Sequence, residues 1–173
     1  MVIWFIGMSG SGKTTLGREV VNQLRRFSPN TVFLDGDDVR AVFRHDRGEH
    51  PYTVEGRRIN AERITALCEL LDRQGIHVVC CVLSIFPEMR SGHRQRFSDY
   101  FEVFMDAPLN VLESRDVKGL YASARRGQAS NVVGMDIPFP RPEQADMVVD
   151  SSGAGGNVDE LATHVLKKAG LLQ

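Results

Sequence analysis

Residues 2–14 read Val2-Ile3-Trp4-Phe5-Ile6-Gly7-Met8-Ser9-Gly10-Ser11-Gly12-Lys13-Thr14. The first five are apolar, β-branched or aromatic, with no polar residue alternating between them. That pattern predicts a strand covered on both faces, as in a parallel sheet. Gly7 to Thr14 then fits G-x-x-x-x-G-K-[ST] at every fixed position. Glycines let the backbone curl until successive N–H groups face an anion at a helix N-terminus. Lys13 reaches β- and γ-phosphates in such a loop, and the Thr14 hydroxyl is placed to ligate Mg²⁺. The reading requires a helix next, and Leu16, Val20, Leu24 and Phe27 recur every three or four residues. Binding of a nucleoside triphosphate such as ATP follows.

Further along, strand and helix patterns alternate. Residues 31–34, 77–83, 101–105 and 147–149 predict strands; Ile64, Leu67, Cys68 and Leu71 mark an amphipathic helix, and 88–96 and 158–168 mark two more. Residues 44–56 predict a surface loop, 115–126 a basic region and 137–142 a Pro-rich stretch. This order predicts an α/β domain with a mostly parallel sheet and right-handed crossovers. At 173 residues the chain is about one domain long.

Composition removes several function classes. The 21 basic and 22 acidic residues give a formal net charge of −1, so neither a nucleic-acid partner nor a polybasic membrane binder is expected. The longest apolar runs, 2–6 and 78–83, fall far short of the ~20 residues of a spanning helix. Without a basic leader or cleavage site, a cytoplasmic location is expected. Cys68, Cys80 and Cys81 have neither disulfide-framework nor metal spacing, and their apolar neighbours predict buried thiols. The five histidines lack partner spacing; His77 is expected to be structural, and His93 to be solvated rather than phosphate-binding.

Among nucleotide-binding classes, a GTPase is disfavoured because none of the six asparagines precedes a lysine. Asp116 to Gly119 formally fits D-x-x-G but lies too late in the chain. Motor ATPases need more chain, so a small kinase fits best. Such an enzyme needs a carboxylate for the acceptor hydroxyl and cations for the transferring phosphoryl. Leu34-Asp35-Gly36-Asp37-Asp38-Val39-Arg40 places carboxylates at a strand's carboxyl end, where an open sheet binds ligands. Asp35 or Asp37 could equally be a helix cap, and local sequence leaves both readings open. An ATP-binding regulatory module without turnover is the non-enzyme alternative. It predicts damage among the charged positions, and Lys13, Thr14, Asp35, Asp37, Arg40 and Lys118 are all present.

Taken together, these segments resemble adenylylsulfate (APS) kinases. The blocks carrying the resemblance are the G-M-S-G-S-G-K-T loop, L-D-G-D-D-V-R, Arg57/Asn60/Arg63, Arg115-Asp116-x-Lys118-Gly119-Leu120-Tyr121, Ala124-Arg125-x-Gly127 and Asn131-x-x-Gly134-x-Asp136-x-Pro138. The resemblance implies a three-layer P-loop kinase fold spanning 1–173 as one domain, with a basic lid at about 115–140. It implies Mg·ATP-dependent phosphorylation of the 3′-hydroxyl of adenosine 5′-phosphosulfate, and commonly a homodimer. Gly7, Ser9, Gly10, Ser11, Gly12, Lys13, Thr14, Thr15 and Arg125 would hold ATP, with Thr14 on the metal. Asp37 would lie nearest the acceptor hydroxyl, with Asp35 supporting the metal–water network. Arg40, Arg57 and Asn60 would hold the phosphosulfate end. Leu83 and Ser84 would also meet the substrate, Ser84 matching a serine sometimes described as a phosphoenzyme site. Lys118 and Leu120 would bracket the substrate from the lid. For Arg57, Arg58 and Arg63 a solvated helix face is the alternative.

Three departures from the family pattern stand out. Ser84 is followed by Ile85-Phe86-Pro87 rather than Pro-Tyr-Arg. Tyr52 supplies one aromatic for a base clamp, but Val132 stands where a second ring is expected. The loop from Glu49 to Gly56 is longer than usual, and Val117 replaces a lid proline. A related kinase for another nucleotide is therefore the alternative, such as the capsule-pathway enzymes acting on cytidine diphosphoramidate.

Overall fold

Strand β1 (Val2–Ile6) is buried along its whole length and divides its side chains between two cores. Ile3 and Phe5 pack with Leu16, Val20 and Val165 on one face, whereas Val2, Trp4 and Ile6 pack with Ile64, Cys68 and Phe97 on the other. The two-residue period of a strand makes that division unavoidable once both faces are covered. The computed structural model describes residues 1–45, 50–116, 118–153 and 156–172. Among them β1 lies at the centre of a five-stranded sheet with β2 (Thr31–Asp35), β3 (His77–Val82), β4 (Tyr100–Asp106) and β5 (Met147–Asp150). The order is β2-β3-β1-β4-β5, and every pairing is parallel.

Helices α1 (Lys13–Leu24) and α7 (Val158–Lys168) cover one face, and α3 (Val54–Asp72) and α4 (Pro87–Arg96) cover the other. The short α2 (Gly36–Val42) follows β2, while α5 (Leu109–Arg115) and α6 (Leu120–Arg125) occupy the basic region. Helix α1 lies so close to the sheet that a Cβ at Gly17 would come within 2.5 Å of Cys81 Sγ. The chain reverses its direction of sheet growth at β1, between β3 and β4. A parallel sheet opens a ligand crevice at the carboxyl ends of strands flanking such a switch point.

The predicted strands and the α1, α3, α4 and α7 segments all form. Phe27 is an exception: it lies beyond the end of α1 and is exposed, so α1 ends one turn earlier than its apolar spacing suggests. All three cysteines are buried free thiols. Glu49 and Val117 fall outside the described residues.

Candidate active site

The loop after β1 curls because Gly10 and Gly12 adopt left-handed conformations, φ 79° and 88°, that a side chain would strain. Lys13 folds back so that its Nζ donates to the Met8 carbonyl at 2.8 Å. Burial pushes the Lys13 ammonium down to about 8, against the pull of Cys81, Asp35 and Asp37, which favours the charged form. From α6, the Tyr121 hydroxyl donates to the Ser9 carbonyl at 2.9 Å, tying the basic region to the loop.

Asp35 resolves the choice between cap and crevice by doing both. Its Oδ1 accepts the Asp37 N–H at 3.0 Å and caps α2, while its Oδ2 accepts the Thr14 hydroxyl at 2.7 Å. Asp37 Oδ1 accepts Arg40 Nη1 at 3.1 Å, and Oδ2 accepts Lys118 Nζ at 2.8 Å. Desolvation alone would raise the Asp37 carboxyl, but Lys118, Arg40 and Lys13 hold it below its usual range. The same contact raises Lys118. Thus 81 residues of chain separate the two partners of the contact that brings the basic region to the acidic loop.

Arg40 is buried, its guanidinium 4.9 Å from the Tyr52 ring centroid, and its Nε has no partner among the described residues. Arg57 lies 5.6 Å from the same ring and donates to the Tyr52 and Asn131 carbonyls, each at 2.8 Å. Asn60 donates to the Gly36 carbonyl at 3.1 Å, and its buried Oδ1 has no partner among the described residues. Arg58 and Arg63 go elsewhere: Arg58 pairs with Glu88, and Arg63 sits over Phe43. Ser84 holds a left-handed φ of 56°, a strained position for a non-glycine residue, and its carbonyl accepts Arg90 Nη1 at 2.6 Å.

One cleft of about 640 Å³ gathers most of these groups. Ser9, Gly10, Gly12, Lys13, Thr14, Thr15, Asp35 and Asp37 line it, as do Arg40, Tyr52, Arg57, Asn60, Leu83, Ser84, Lys118 and Leu120. Gly7 and Ser11 belong to the loop but not to the lining. Arg125 also lies outside it, paired with Glu113 between α6 and α5. Val132 does line the cleft but is fully buried, packed with Ala107, Leu112 and Tyr121.

Sequence reasoning missed the inner end, where Trp4, Thr65 and His93 line the same cleft. Contrary to the solvated role expected for it, His93 is buried, 4.4 Å from the Trp4 ring. Helix α4 turns it inward, and burial lowers its pKa to about 4. No spacing signal in the sequence marks this cluster, because Trp4 reads locally as core and His93 as solvent-facing.

The glycine-rich loop and Lys13 line one cleft together with Asp35, Asp37, Arg40, Arg57 and Lys118. The adenylylsulphate kinase family model matches residues 1–150. The chain belongs to this family. Cytidine diphosphoramidate kinase of Campylobacter jejuni is 34% identical over 170 residues, covering 98% of this chain and 96% of that protein. An adenylyl-sulfate kinase of Halothermothrix orenii is 36% identical over 167 residues, covering 96% and 88%. In structure, the Mycobacterium tuberculosis APS kinase in complex with AMPPNP and APS is similar at a TM-score of 0.82 and 34% identity. That match covers 96% of this chain and 95% of that one.

Family membership makes the chain an APS-kinase-like small-molecule kinase acting on a nucleotide, with ATP as phosphoryl donor. It also accounts for the survival of every charged position that a non-catalytic module would be expected to lose. Among the described residues, no helix is long and apolar enough to cross a membrane.

Proposed function

We propose that this adenylylsulphate kinase family member transfers the γ-phosphoryl group of ATP to the 3′-hydroxyl of adenosine 5′-phosphosulfate. The observation that carries the reading is Asp37 held between Lys118 and Arg40 in the cleft that also contains Lys13. The acceptor oxygen bonds to γ-phosphorus as the bond from phosphorus to the β–γ bridging oxygen breaks, releasing ADP. Asp37 takes the hydrogen bond of the acceptor hydroxyl and then its proton, and its lowered pKa keeps it ionised for that task. Lys13 stabilises the charge that builds on the β–γ bridging oxygen and the β-phosphate as that bond breaks, and the loop N–H groups hold the phosphate oxygens. Arg40, Arg57 and Asn60 hold the anionic 5′ end of the acceptor, and Lys118 with Leu120 closes on it from the lid at about 115–140. Leu83 and the strained Ser84 form the opposite wall.

Mg²⁺ fits beside the loop, where the Thr14 hydroxyl and the Asp35 carboxylate stand 2.7 Å apart as hard oxygen donors. Thr14 would hold the ion directly and Asp35 through its water shell. When bound, it neutralises charge on the β- and γ-phosphates.

A second reading, phosphorylation of a cytidine nucleotide such as cytidine diphosphoramidate, is favoured by Val132. A valine packed into the wall offers no ring opposite Tyr52, and a purine loses more than a pyrimidine when one stacking face is missing. Mg·ATP with each acceptor, followed by ADP release, decides between them. The first reading predicts the higher kcat/KM with adenosine 5′-phosphosulfate. A value at least a hundredfold below that for the cytidine substrate reverses the order, and no turnover with either defeats both.

A further inference from the structure

Helix α4 opens with a buried cation that its own stability does not explain. Arg90 is only 8% exposed and closes the first turn of the helix, where the positive end of the helix dipole disfavours a guanidinium. Burial also pulls its pKa below the usual arginine range, against the influence of Glu102, Tyr100 and Glu88. A desolvated cation costs stability unless hydrogen bonds compensate it. Those of Arg90 go to backbone carbonyls: Nη1 donates to Ser84 at 2.6 Å and to Pro140 at 3.4 Å, and Nη2 donates to Pro140 at 3.3 Å.

Both carbonyls belong to segments that need an outside donor. In Ile137-Pro138-Phe139-Pro140-Arg141-Pro142 every second residue lacks an N–H, so the stretch cannot join a strand ladder and its carbonyls depend on side chains. This stretch returns the chain from the basic region to β5. Its Ile137 and Phe139 pack with Ile85 and Phe86, which connect β3 to α4. Ser84 begins that connection at a φ of 56°, a conformation that persists in a non-glycine residue only where its surroundings hold it. The contact on its carbonyl comes from Arg90. Leu83, Ser84, Ile85 and Phe86 line the cleft, whereas Arg90 is not part of the lining.

We propose that Arg90 is a positioning residue for the acceptor: its planar fork holds the Ser84 and Pro140 carbonyls together and so fixes the left-handed turn that presents Leu83 and Ser84 to the cleft. The inference rests on the reading of that wall as the acceptor side. Arg90 touches neither acceptor nor ATP and acts through the backbone at residue 84. Two consequences follow from this route. A lysine cannot replace the fork, because a single ammonium lacks its planar set of donors. A glycine at position 84, which takes a positive φ without strain, lessens the need for Arg90.

Arg90→Met keeps an apolar stem in the core and removes the donors. Initial rates are measured with Mg·ATP and adenosine 5′-phosphosulfate, or cytidine diphosphoramidate if the wild type turns over that acceptor instead. The KM for the acceptor should rise about tenfold, the scale of a lost hydrogen bond to a charged group, with the KM for ATP changed by less than about twofold. Arg90→Lys should give a smaller rise of about threefold. Ser84→Gly removes a hydroxyl from the cleft and sets its own acceptor KM; adding Arg90→Met to it should raise that value by no more than about threefold. An unchanged acceptor KM in Arg90→Met overturns the proposal, and so does an equal rise in both KM values, which marks a general structural role. The same tenfold rise in both backgrounds overturns it as well, since Arg90 then does not act through residue 84. Should Arg90→Met fail to fold, Arg90→Lys decides: a rise confined to the acceptor KM and lost in the Ser84→Gly background supports the proposal, and no rise or a persisting one overturns it. A protein that turns over neither acceptor defeats the reading of that wall, and this inference with it.

Discussion

Replacing Lys13 with methionine should abolish turnover yet make the nucleotide-free protein more stable. The lysine is half-buried against the loop, and desolvation there holds its ammonium at about 8 rather than the ordinary 10.5. The folded protein thus gives up this proton before the unfolded chain does. Between those two values the unfolded state binds more protons, so stability rises with pH across that window. Below pH ~8 the full cost of burying the charge is present. A gap of ~2.5 units at ~1.36 kcal/mol per unit sets a ceiling of ~3 kcal/mol. Methionine fills similar volume without the charge, but it forfeits the donation to the Met8 carbonyl, which returns ~1 kcal/mol. The remaining ~1–2 kcal/mol corresponds to a rise in Tm of roughly 2–8 °C for a chain of this size.

Calorimetry without nucleotide at about pH 7 should show Lys13→Met melting above the wild type, with the difference shrinking toward pH ~10. Saturating Mg·ATP should reverse the order, because only the wild type gains full binding free energy. An ADP-release assay should find kcat reduced by roughly 10³-fold or more, the scale of a lost transition-state charge contact. Melting of the variant below the wild type at about pH 7 would refute the burial argument. Turnover near the wild-type rate would refute the assignment of the loop.

Three further substitutions probe the remaining parts of the site. Asp37→Asn should lower kcat by about 10²-fold or more with little change in the KM for ATP; loss of ATP binding with turnover preserved per bound complex would move Asp37 to the metal and exchange its role with Asp35. Lys118→Ala removes the largest influence lowering the Asp37 carboxyl, so the acid limb of the kcat–pH profile should move upward toward the ordinary carboxylate range; an unmoved limb would mean that Asp37 is not the titrating base. Tyr121→Phe deletes the hydroxyl that steadies the Ser9 carbonyl, and a neutral hydrogen bond worth ~1 kcal/mol predicts about a fivefold rise in the KM for ATP, read from initial rates. An unchanged KM would leave that contact without a role in holding the loop.

Local chemistry made the donor half of this protein legible in the amino-acid sequence. A continuous apolar strand, a Gly-rich turn and a helix with lysine at its first position are neighbours along the chain, so their geometry follows from short-range backbone preferences. The same holds for β2 and its D-G-D turn, although only the fold showed that Asp35 serves as cap and crevice carboxylate together. The acceptor half depends on contacts between distant segments. Arg57, Arg58 and Arg63 share one helix, but only the packing of α3 against its neighbours sends Arg57 into the cleft, Arg58 to Glu88 and Arg63 over Phe43. Lys118 gains its meaning from Asp37, and Arg125 turns from the cleft to Glu113. His93 shows the limit most plainly: its polar neighbours on α4 suggest solvent, while Trp4, Thr65 and Tyr100, drawn from β1, α3 and β4, enclose it. Sequence periodicity reports which face of an element is apolar, but the partner that meets a single polar residue on that face is set only when the elements pack.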